Sequence, residues 1–204
     1  MYRKFRKTLS TGVLAAAFIL GAASPALAGP PTDFVKENAQ EVGKLLQQKD
    51  SKERYAKFSK KVNEIIDYRE LASRALGEHW KKRTPEEQEK FLSLLREMIE
   101  ANYEGRLAGN TMGEDYEIKY LEEKTRGNLA IVKTSVKWDE GEKPVDYKLV
   151  KKDGGWVVYD IVADDISTLE SYRDAYTDVI ESDGWDKLIS LMEKKVEELR
   201  AQKK

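Results

Sequence analysis

The sequence predicts an α+β domain in which a curved antiparallel sheet of four strands is covered by helices and encloses an apolar cavity. Three observations support this fold class. Apolar residues recur at the helical period before Gly109, alternate with polar residues from Glu114 to Val162, and then return to the helical period. Short turns join the alternating segments, which indicates an antiparallel meander. Strands of about ten residues would be roughly 33 Å long and must bend, so the sheet forms a concave wall.

The first 28 residues are expected to be a secretory signal peptide, and residues 29–204 are expected to form one domain. Basic residues precede a small apolar run at 12–23, and Ala26-Leu27-Ala28 has the small-x-small pattern of a cleavage site. A retained membrane anchor is the alternative, but the apolar run is short for a bilayer and ends near Pro25. We therefore expect export to a bacterial periplasm.

Composition excludes several classes of protein. The chain has no cysteine, which excludes disulfides, iron–sulfur clusters, cysteine nucleophiles and cysteine-based zinc sites. The predicted signal peptide holds 4 of the 36 basic residues and none of the 37 acidic ones, so the mature chain carries a net charge of about −5. This balance gives no electrostatic basis for nucleic-acid binding.

Four helices are predicted before the strands. The first begins at Thr32 or Asp33, either of which can cap it. The second follows residues 50–51, and a third, short helix is capped by Asp67 and closed by Gly77. The fourth has the strongest start signal, Thr84-Pro85-Glu86-Glu87, with a capping threonine, proline at the first helical position and glutamate at the third.

Four strands are predicted next, beginning near Tyr116, Leu129, Val145 and Trp156. The turn Asp153-Gly154-Gly155 favours a hairpin between the last two, because glycine accepts the positive φ that such turns require. Strict alternation in the last strand predicts that one face carries Val157, Tyr159 and Ile161 and the other Trp156, Val158 and Val162.

Two helices are predicted after the strands. Ser167-Thr168-Leu169-Glu170 has the pattern of a capping box, and the apolar residues after it would lie back across the preceding hairpin. Asp183-Gly184 then breaks the chain, and a last helix begins near Trp185.

Candidate catalytic and metal-binding residues are few. His79 is the only histidine and is expected at a surface or helix end, and without a second histidine or a cysteine a metal site would need carboxylates. Asp164 and Asp165 are the obvious pair, but adjacent residues in an extended segment point to opposite sides, so a solvated turn is expected there. No phosphate-binding glycine-rich loop or nucleophile elbow is present.

One constellation of residues resembles the signature of the MlaC family of periplasmic phospholipid-binding proteins, also called the toluene-tolerance auxiliary family. The family pattern is Trp-x-Val-Tyr-Asp-Val, then Val-Ser-Leu, then Asn-Tyr-Arg, and further matches lie on both sides of it. The turn departs from the family's Glu-Gly-Val-Ser-Leu at Asp164-Asp165 and Thr168. The matching segments are Trp156-Val157-Val158-Tyr159-Asp160-Ile161-Val162, Ile166-Ser167, Ser171-Tyr172-Arg173, His79-Trp80-Lys81, Thr84-Pro85-Glu86-Glu87 with Phe91, Tyr103, and Gly184-Trp185-Asp186-Lys187-Leu188-Ile189.

The resemblance implies a soluble carrier, without catalysis, that shuttles phospholipid between the two membranes of a Gram-negative envelope. It implies a fold related to nuclear-transport-factor-like (NTF2-like) cones, with acyl chains in the cavity, the head group exposed, no cofactor and phospholipid as cargo. The implied partners are an inner-membrane ABC transporter with an MCE-domain ring and an outer-membrane lipoprotein complex, and the chain is expected to be a monomer.

The expected lipid contacts follow from the apolar strand faces and the covering helix. Burying a diacyl lipid with roughly thirty methylenes requires on the order of 24 kcal/mol, which a shallow groove would not supply. Tyrosines and an arginine could meet a phosphate at the mouth of the cavity. The expected tail contacts are Val132, Val136, Tyr147, Leu149, Val158, Tyr159, Ile161 and Leu169, and the expected mouth residues are Tyr103, Tyr172 and Arg173.

Two other hypotheses stay open at the level of the sequence. A small NTF2-like enzyme acting on a hydrophobic substrate could use Asp160 as its base, although this aspartate is expected to pair with a neighbouring amide or cation. A periplasmic adaptor that binds only protein would have its cavity filled by its own side chains.

Overall fold

The computed structural model describes residues 29–49, 51–108, 116–138 and 141–201, with side chains described except at 102–108 and 138. Helices precede and follow a block of strands, as the change of period predicted. The elements are α1 (Pro30–Leu46), α2 (Lys52–Ile65), α3 (Tyr68–Leu76), α4 (Glu78–Lys81), α5 (Pro85–Ala108), β1 (Tyr116–Arg126), β2 (Leu129–Trp138), β3 (Gly141–Lys152), β4 (Gly155–Ala163), β5 (Ile166–Ser167), α6 (Thr168–Asp183) and α7 (Trp185–Ala201).

The strands form one antiparallel sheet in the order β1-β2-β3-β4-β5, in which every strand pairs with its neighbour in the chain. The predicted fold class is therefore confirmed, with one more strand than the four expected. The fifth strand, Ile166–Ser167, pairs only with the end of β4. A strand of two residues is too short to produce an alternating pattern, so periodicity could not reveal it.

Local capping signals placed most of the helix starts correctly. Thr84 and Glu87 form a reciprocal capping box at α5, since each backbone N–H donates to the other's side chain (2.7 and 3.2 Å). Asp67 accepts from the Glu70 N–H at the start of α3, and Ser167 accepts from the Glu170 N–H at the start of α6. These caps are formed within the chain's own local sequence, and their prediction is confirmed.

The start of α1 was predicted wrongly. The helix begins at Pro30 rather than near Thr32, and no side chain within its first turn caps it. Its exposed N–H groups are satisfied instead by Glu123 of β1, which accepts from Gly29 and Thr32. A carboxylate that is distant in the chain supplies the cap, so the local sequence could not reveal it.

The faces of β4 also differ from the prediction. Lys148 pairs with Asp160 and Leu149 with Val158, which leaves Tyr159 as an extra, unpaired residue of β4. After this β-bulge the alternation is shifted by one residue, so Ile161 shares a face with Val158 while Tyr159 turns towards the helices. The expectation that Tyr159 and Ile161 share a face was wrong for this reason.

Asp164 and Asp165 form the two-residue turn between β4 and β5. Both have positive φ (54° and 63°), the left-handed region that the mirror-image hairpin turns require and that aspartate tolerates better than most residues. Asp164 Oδ2 also forms an ion pair with Lys143 Nζ at 2.6 Å. The pair therefore lies in a turn, as expected.

Two groups of buried side chains hold the fold together. The helical cluster consists of buried residues from α3, α4, α5, α6 and α7, with an aromatic centre formed by Trp80, Phe91, Tyr176 and Trp185. The sheet cluster joins β2, β3 and β4 to α1, and its buried members are Val35, Ala130, Val132, Leu149 and Val158. In the described part of the chain, no helix is long and apolar enough to cross a bilayer.

Candidate functional site

One face of the sheet, called here the covered face, lies against α1 and the end of α2. The strand register places Ala130 opposite Leu149 and Val132 opposite Tyr147, and Val35 of α1 packs against the same group. Alternate residues of each strand therefore point to one apolar layer, as the alternation in β2 and β3 predicted.

Burial of the covered face changes along the strands. At one end Val132 and Leu149 have 0% exposed surface, so no water-sized space adjoins them. Towards the other end Thr134 of β2 is also fully buried, but the apolar residues around it on the same side of the sheet are only half-buried. We call this second group the half-buried band: Tyr116, Ile118 and Tyr120 of β1, Val136 of β2, Val145 and Tyr147 of β3, and Ile161 of β4.

Helix α1 is fastened along β1 at two points. Its first residues hydrogen-bond to Glu123, and near its other end Gly43 lies so close to the Tyr116 hydroxyl that a Cβ at this position would be 2.1 Å from it. Fourteen helical residues span about 21 Å, and the seven strand residues between the two contacts span about 23 Å. The helix and the strand thus run antiparallel side by side, with α1 above the edge of the half-buried band.

The tyrosines of β1 give this band a polar component. Burial raises the pKa of Tyr116 and of Tyr120 above the usual range for a phenol, so both stay neutral at physiological pH. A neutral phenol presents an apolar ring and a hydroxyl that donates one hydrogen bond and accepts others. The band can therefore contact hydrocarbon and still bond to an ester or phosphate oxygen.

The structure separates the predicted tail contacts into two sets. Val132, Leu149 and Val158 belong to the closed sheet cluster, where their side chains pack against other residues of the protein. Val136, Tyr147 and Ile161 lie in the half-buried band and retain accessible apolar surface. Their role as lipid contacts stays a prediction, and so does the cavity itself.

The remaining predicted residues lie with the helices. Tyr159 packs against the helical cluster under the Arg74 guanidinium, 4.3 Å from its ring centroid, and Leu169 is buried in the same cluster. Tyr172 stacks on Tyr176 with 5.3 Å between ring centroids. Exposed Arg173 donates to the Arg74 carbonyl oxygen at 3.3 Å, so the structure does not place it beside the half-buried band residues. The side chain of Tyr103 lies outside the described residues.

Asp160, the candidate base of the enzyme hypothesis, is a deeply buried carboxylate. Its side chain accepts hydrogen bonds from Ser167 Oγ (2.8 Å) and the Leu169 N–H (3.0 Å), and it forms an ion pair with Lys148 Nζ at 2.8 Å. The carboxylate thus ties β3 and β4 to the N-terminus of α6, where negative charge is favoured by the helix dipole. Its lone pairs are occupied by structural partners, as expected.

His79 is the second residue of the short helix α4 and is partly exposed. Its Nε2 is 3.8 Å from Glu181 Oε1, a surface contact between α4 and α6. Within the described ranges, no group of three or more histidine and acidic residues is arranged to hold a metal ion.

Three residues of the half-buried band were not predicted as contacts from the sequence. Tyr116, Ile118 and Tyr120 were identified as a strand but were not among the candidate contacts. A signal was available, because their alternation with Glu117 and Lys119 indicates one apolar face on β1. The sequence could not show that this face forms one surface with Val136 and Tyr147, because that depends on strand register.

Together these features define a class of protein: an α+β domain whose antiparallel sheet has one helix-covered apolar face, closed at one end and half-buried at the other. The protein-family model described as MlaC protein matches residues 36–194 of the 204. The chain therefore belongs to the MlaC family, as the resemblance indicated.

Two known proteins are similar to it. The intermembrane phospholipid transport system binding protein MlaC of Haemophilus influenzae is 27% identical over 138 residues, which span 64% of this chain and 64% of that relative. The phospholipid-binding protein of Ralstonia solanacearum, solved in complex with a phospholipid, has the same fold, with a TM-score of 0.73 and 21% identity. That match covers 82% of this chain and 97% of the solved one.

Proposed function

We propose that this protein is a periplasmic phospholipid carrier, which holds acyl chains between the covered face of its sheet and the helices and catalyses no reaction. Membership of the MlaC family supports the proposal, and so do its two relatives, a phospholipid transport system binding protein and a phospholipid-binding protein. The observation that carries it is the half-buried band, because a contiguous apolar surface that stays accessible beneath a helix is typical of a ligand-binding site.

The physical demand on a carrier fits this arrangement. Each methylene removed from water contributes about 0.8 kcal/mol, whether a membrane or a protein removes it. Loading and release therefore depend on the small difference between two apolar environments, and the direction of transfer must come from partners. A band that is already partly shielded offers such an environment without requiring the closed clusters to open.

The band also indicates which residues make the contacts. Val136, Tyr147 and Ile161 retain accessible apolar surface and are the predicted residues best placed for acyl chains. Tyr116 and Tyr120 join them, with hydroxyls that suit the ester region of a lipid. Val132, Leu149 and Val158 form the packed support behind this wall.

The setting of this function is part of the proposal. Residues 1–28 act as a signal peptide, and the mature domain works as a monomer in the periplasm of a Gram-negative bacterium. It exchanges lipid with an inner-membrane ABC transporter bearing an MCE-domain ring and with an outer-membrane lipoprotein complex. Asp160 serves as a structural link rather than a base, because Lys148, Ser167 and the Leu169 amide already occupy it.

Native mass spectrometry of the exported protein tests the proposal. We expect one phospholipid mass on the purified protein, its loss on delipidation and its return after incubation with phosphatidylethanolamine and phosphatidylglycerol vesicles. A protein that carries no lipid as purified and takes none from vesicles would contradict the proposal.

A matched pair of variants tests the site. Val136 and Ser135 are adjacent in β2, are both half-buried and point to opposite faces of the sheet. A lysine at Val136 would put a charge on the wall, whereas Ser135→Lys would face Glu142 on the outer side. We expect V136K to lower the lipid-bound fraction at least about tenfold, the effect of about 1.4 kcal/mol, and S135K to leave it unchanged. If both folded variants retain lipid equally, the lipid site does not include Val136.

A further inference from the structure

Glu123 of β1 is a half-buried carboxylate surrounded by hydrogen-bond donors. Its Oε2 accepts from the Gly29 N–H (3.0 Å), the Thr32 N–H (2.9 Å) and the Thr32 hydroxyl (2.6 Å). The Thr125 hydroxyl donates more weakly to Oε1 at 3.4 Å. These bonds fasten the first turn of α1 to the edge strand of the sheet.

The charge of this carboxylate has no cationic partner among the described residues. Neighbouring Glu122 lies 2.9 Å from Lys124 Nζ and 3.6 Å from Lys133 Nζ. For Glu123, by contrast, no lysine or arginine of the described residues lies within 4.0 Å. A partly buried charge that is hydrogen-bonded but not paired is less stable than one facing an opposite charge.

Removal of the predicted signal peptide would produce a cation at this place. Hydrolysis of the Ala28–Gly29 bond by a signal peptidase consumes one water, leaves a carboxylate on Ala28 and an amine on Gly29, and this amine takes up a proton at neutral pH. We propose that the α-ammonium group so formed binds Glu123 as an ion pair and fastens α1 onto β1 only in the processed protein. In the precursor the same nitrogen is a neutral amide.

The local geometry suits a free N-terminus at this position. A Cβ on residue 29 would lie 2.4 Å from Glu123 Oε1 and 3.1 Å from its Cδ, so glycine lets the chain start this close to the carboxylate without displacing it. The residue that follows the predicted cleavage site is that glycine.

Electrostatics explains why the partner is needed. A positive charge at the first residue of a helix is opposed by the positive end of the helix dipole. Glu123 faces both the nitrogen of Gly29 and the first turn, so one carboxylate offsets both. Since α1 lies above the edge of the half-buried band, processing would complete the cover of this surface after export.

A double-mutant cycle on the full mature chain tests the proposal. Four proteins are compared by thermal unfolding: chains that begin at Gly29 or at Ala28, each with Glu123 or with Glu123→Gln. We expect E123Q to lower Tm more in the chain that begins at Gly29, with a difference of roughly 2–4 °C, the shift that one partly buried ion pair produces in a domain of this size. Equal losses in the two backgrounds would show a simple helix cap and overturn the proposal.

Three further measurements keep the result unambiguous. Glu122→Gln, the matched control, should show no such difference, and Thr32→Ala should lower Tm equally in both backgrounds because it removes a cap donor without changing charge. If E123Q fails to fold, the unsubstituted chains still decide, since high salt should lower Tm more when the chain begins at Gly29. Finally, an intact mass showing that the exported protein starts at another residue would refute the proposal independently of lipid binding.

Discussion

The helical cluster and the half-buried band are both apolar, yet they differ in how completely their side chains are buried. In the helical cluster Phe91 has 0% exposed surface and contacts the rings of Trp80, Tyr176 and Trp185 at centroid distances of 5.6–6.1 Å. In the band, residues such as Tyr147 lie under the cover of a helix but keep accessible surface. One region is packed to completion and the other is not.

This difference indicates a division of roles. Exposed apolar surface contributes nothing to the free energy of folding, so a chain that leaves it open forgoes stability at that place. The helical cluster and the sheet cluster supply the stability, and under the proposed function the band is the surface available to a ligand. Departures from complete packing are expected at functional sites for this reason.

The largest expected effect is at the centre of the helical cluster. We expect Phe91→Ala to lower the free energy of unfolding by about 3–5 kcal/mol, because it removes a ring from a closed site that cannot collapse. Urea denaturation measures the loss, and the lipid bound per folded molecule should not change. Leu191→Ala on the exposed side of α7 should stay within about 0.5 kcal/mol. A lipid defect in folded F91A would break the division of roles.

The junction between the two regions gives the next effect. Asp160→Asn should cost about 2–3 kcal/mol, since it removes the charge that pairs with Lys148 and caps α6. Because the proposed carrier function assigns no catalytic step to this carboxylate, lipid retention of the folded variant should equal that of the parent protein. The exposed Asp174→Asn on α6 is the control for unfolding measurements. A D160N protein as stable as the parent would show that the contacts of Asp160 do not hold α6 to the sheet.

Contact between α1 and the edge of the band predicts a smaller effect. Alanine normally stabilises a helix relative to glycine, but Gly43→Ala should destabilise this protein by about 1–2 kcal/mol because its Cβ meets the Tyr116 hydroxyl. Adding Tyr116→Phe removes that oxygen and should recover most of the loss. Chemical denaturation of the two single variants and the double variant measures this coupling, and an unchanged loss in the double variant would mean that α1 is not fastened there.

The smallest effect depends on pH and concerns the ion pairs that join α3 to the β3-β4 hairpin. Burial alone would raise the pKa of Glu70, but hydrogen bonds from Lys152 and Arg74 outweigh it, so the pKa lies below its ordinary value of 4.5. A lowered folded pKa stabilises the protein above the unfolded pKa, and this contribution is lost as the pH falls through the folded value. Glu70→Gln should therefore cost up to about 1 kcal/mol at pH 7.

Urea denaturation at a series of pH values checks this sign. The curves of parent and E70Q proteins should differ at neutral pH and converge in acid, below the folded pKa of Glu70. A difference that persists unchanged in acid would contradict the assignment. Glu197→Gln, on an exposed carboxylate of α7, serves as the comparison.

How much the sequence could predict differs between the two regions. The period of apolar residues identified the helices, and three local caps placed the starts of α3, α5 and α6. The family was also recognisable, because its motifs lie in continuous segments. Where a feature depends on neighbours in the chain, propensity and capping act before any tertiary contact forms.

Errors arose where a distant residue or an irregular strand decides the outcome. Glu123 caps α1 across 91 residues from Thr32, and no local pattern signals such a bond. The bulge at Tyr159 moved Ile161 to the covered face, although alternation had assigned it elsewhere. One inserted residue changes every later side in a strand, so candidate contacts chosen by alternation alone mix the closed and half-buried regions.

The amino-acid sequence by itself thus determined the fold class, the order of the longer elements and the MlaC family, since each is encoded by periodicity, caps and motifs within short segments, whereas the short elements α4 and β5 were not predicted. Only the tertiary structure decided which apolar residues are closed in a core and which remain half-buried beneath α1. Burial is a property of what packs against a side chain, and for the sheet those neighbours come from other strands and from a helix far away in the chain.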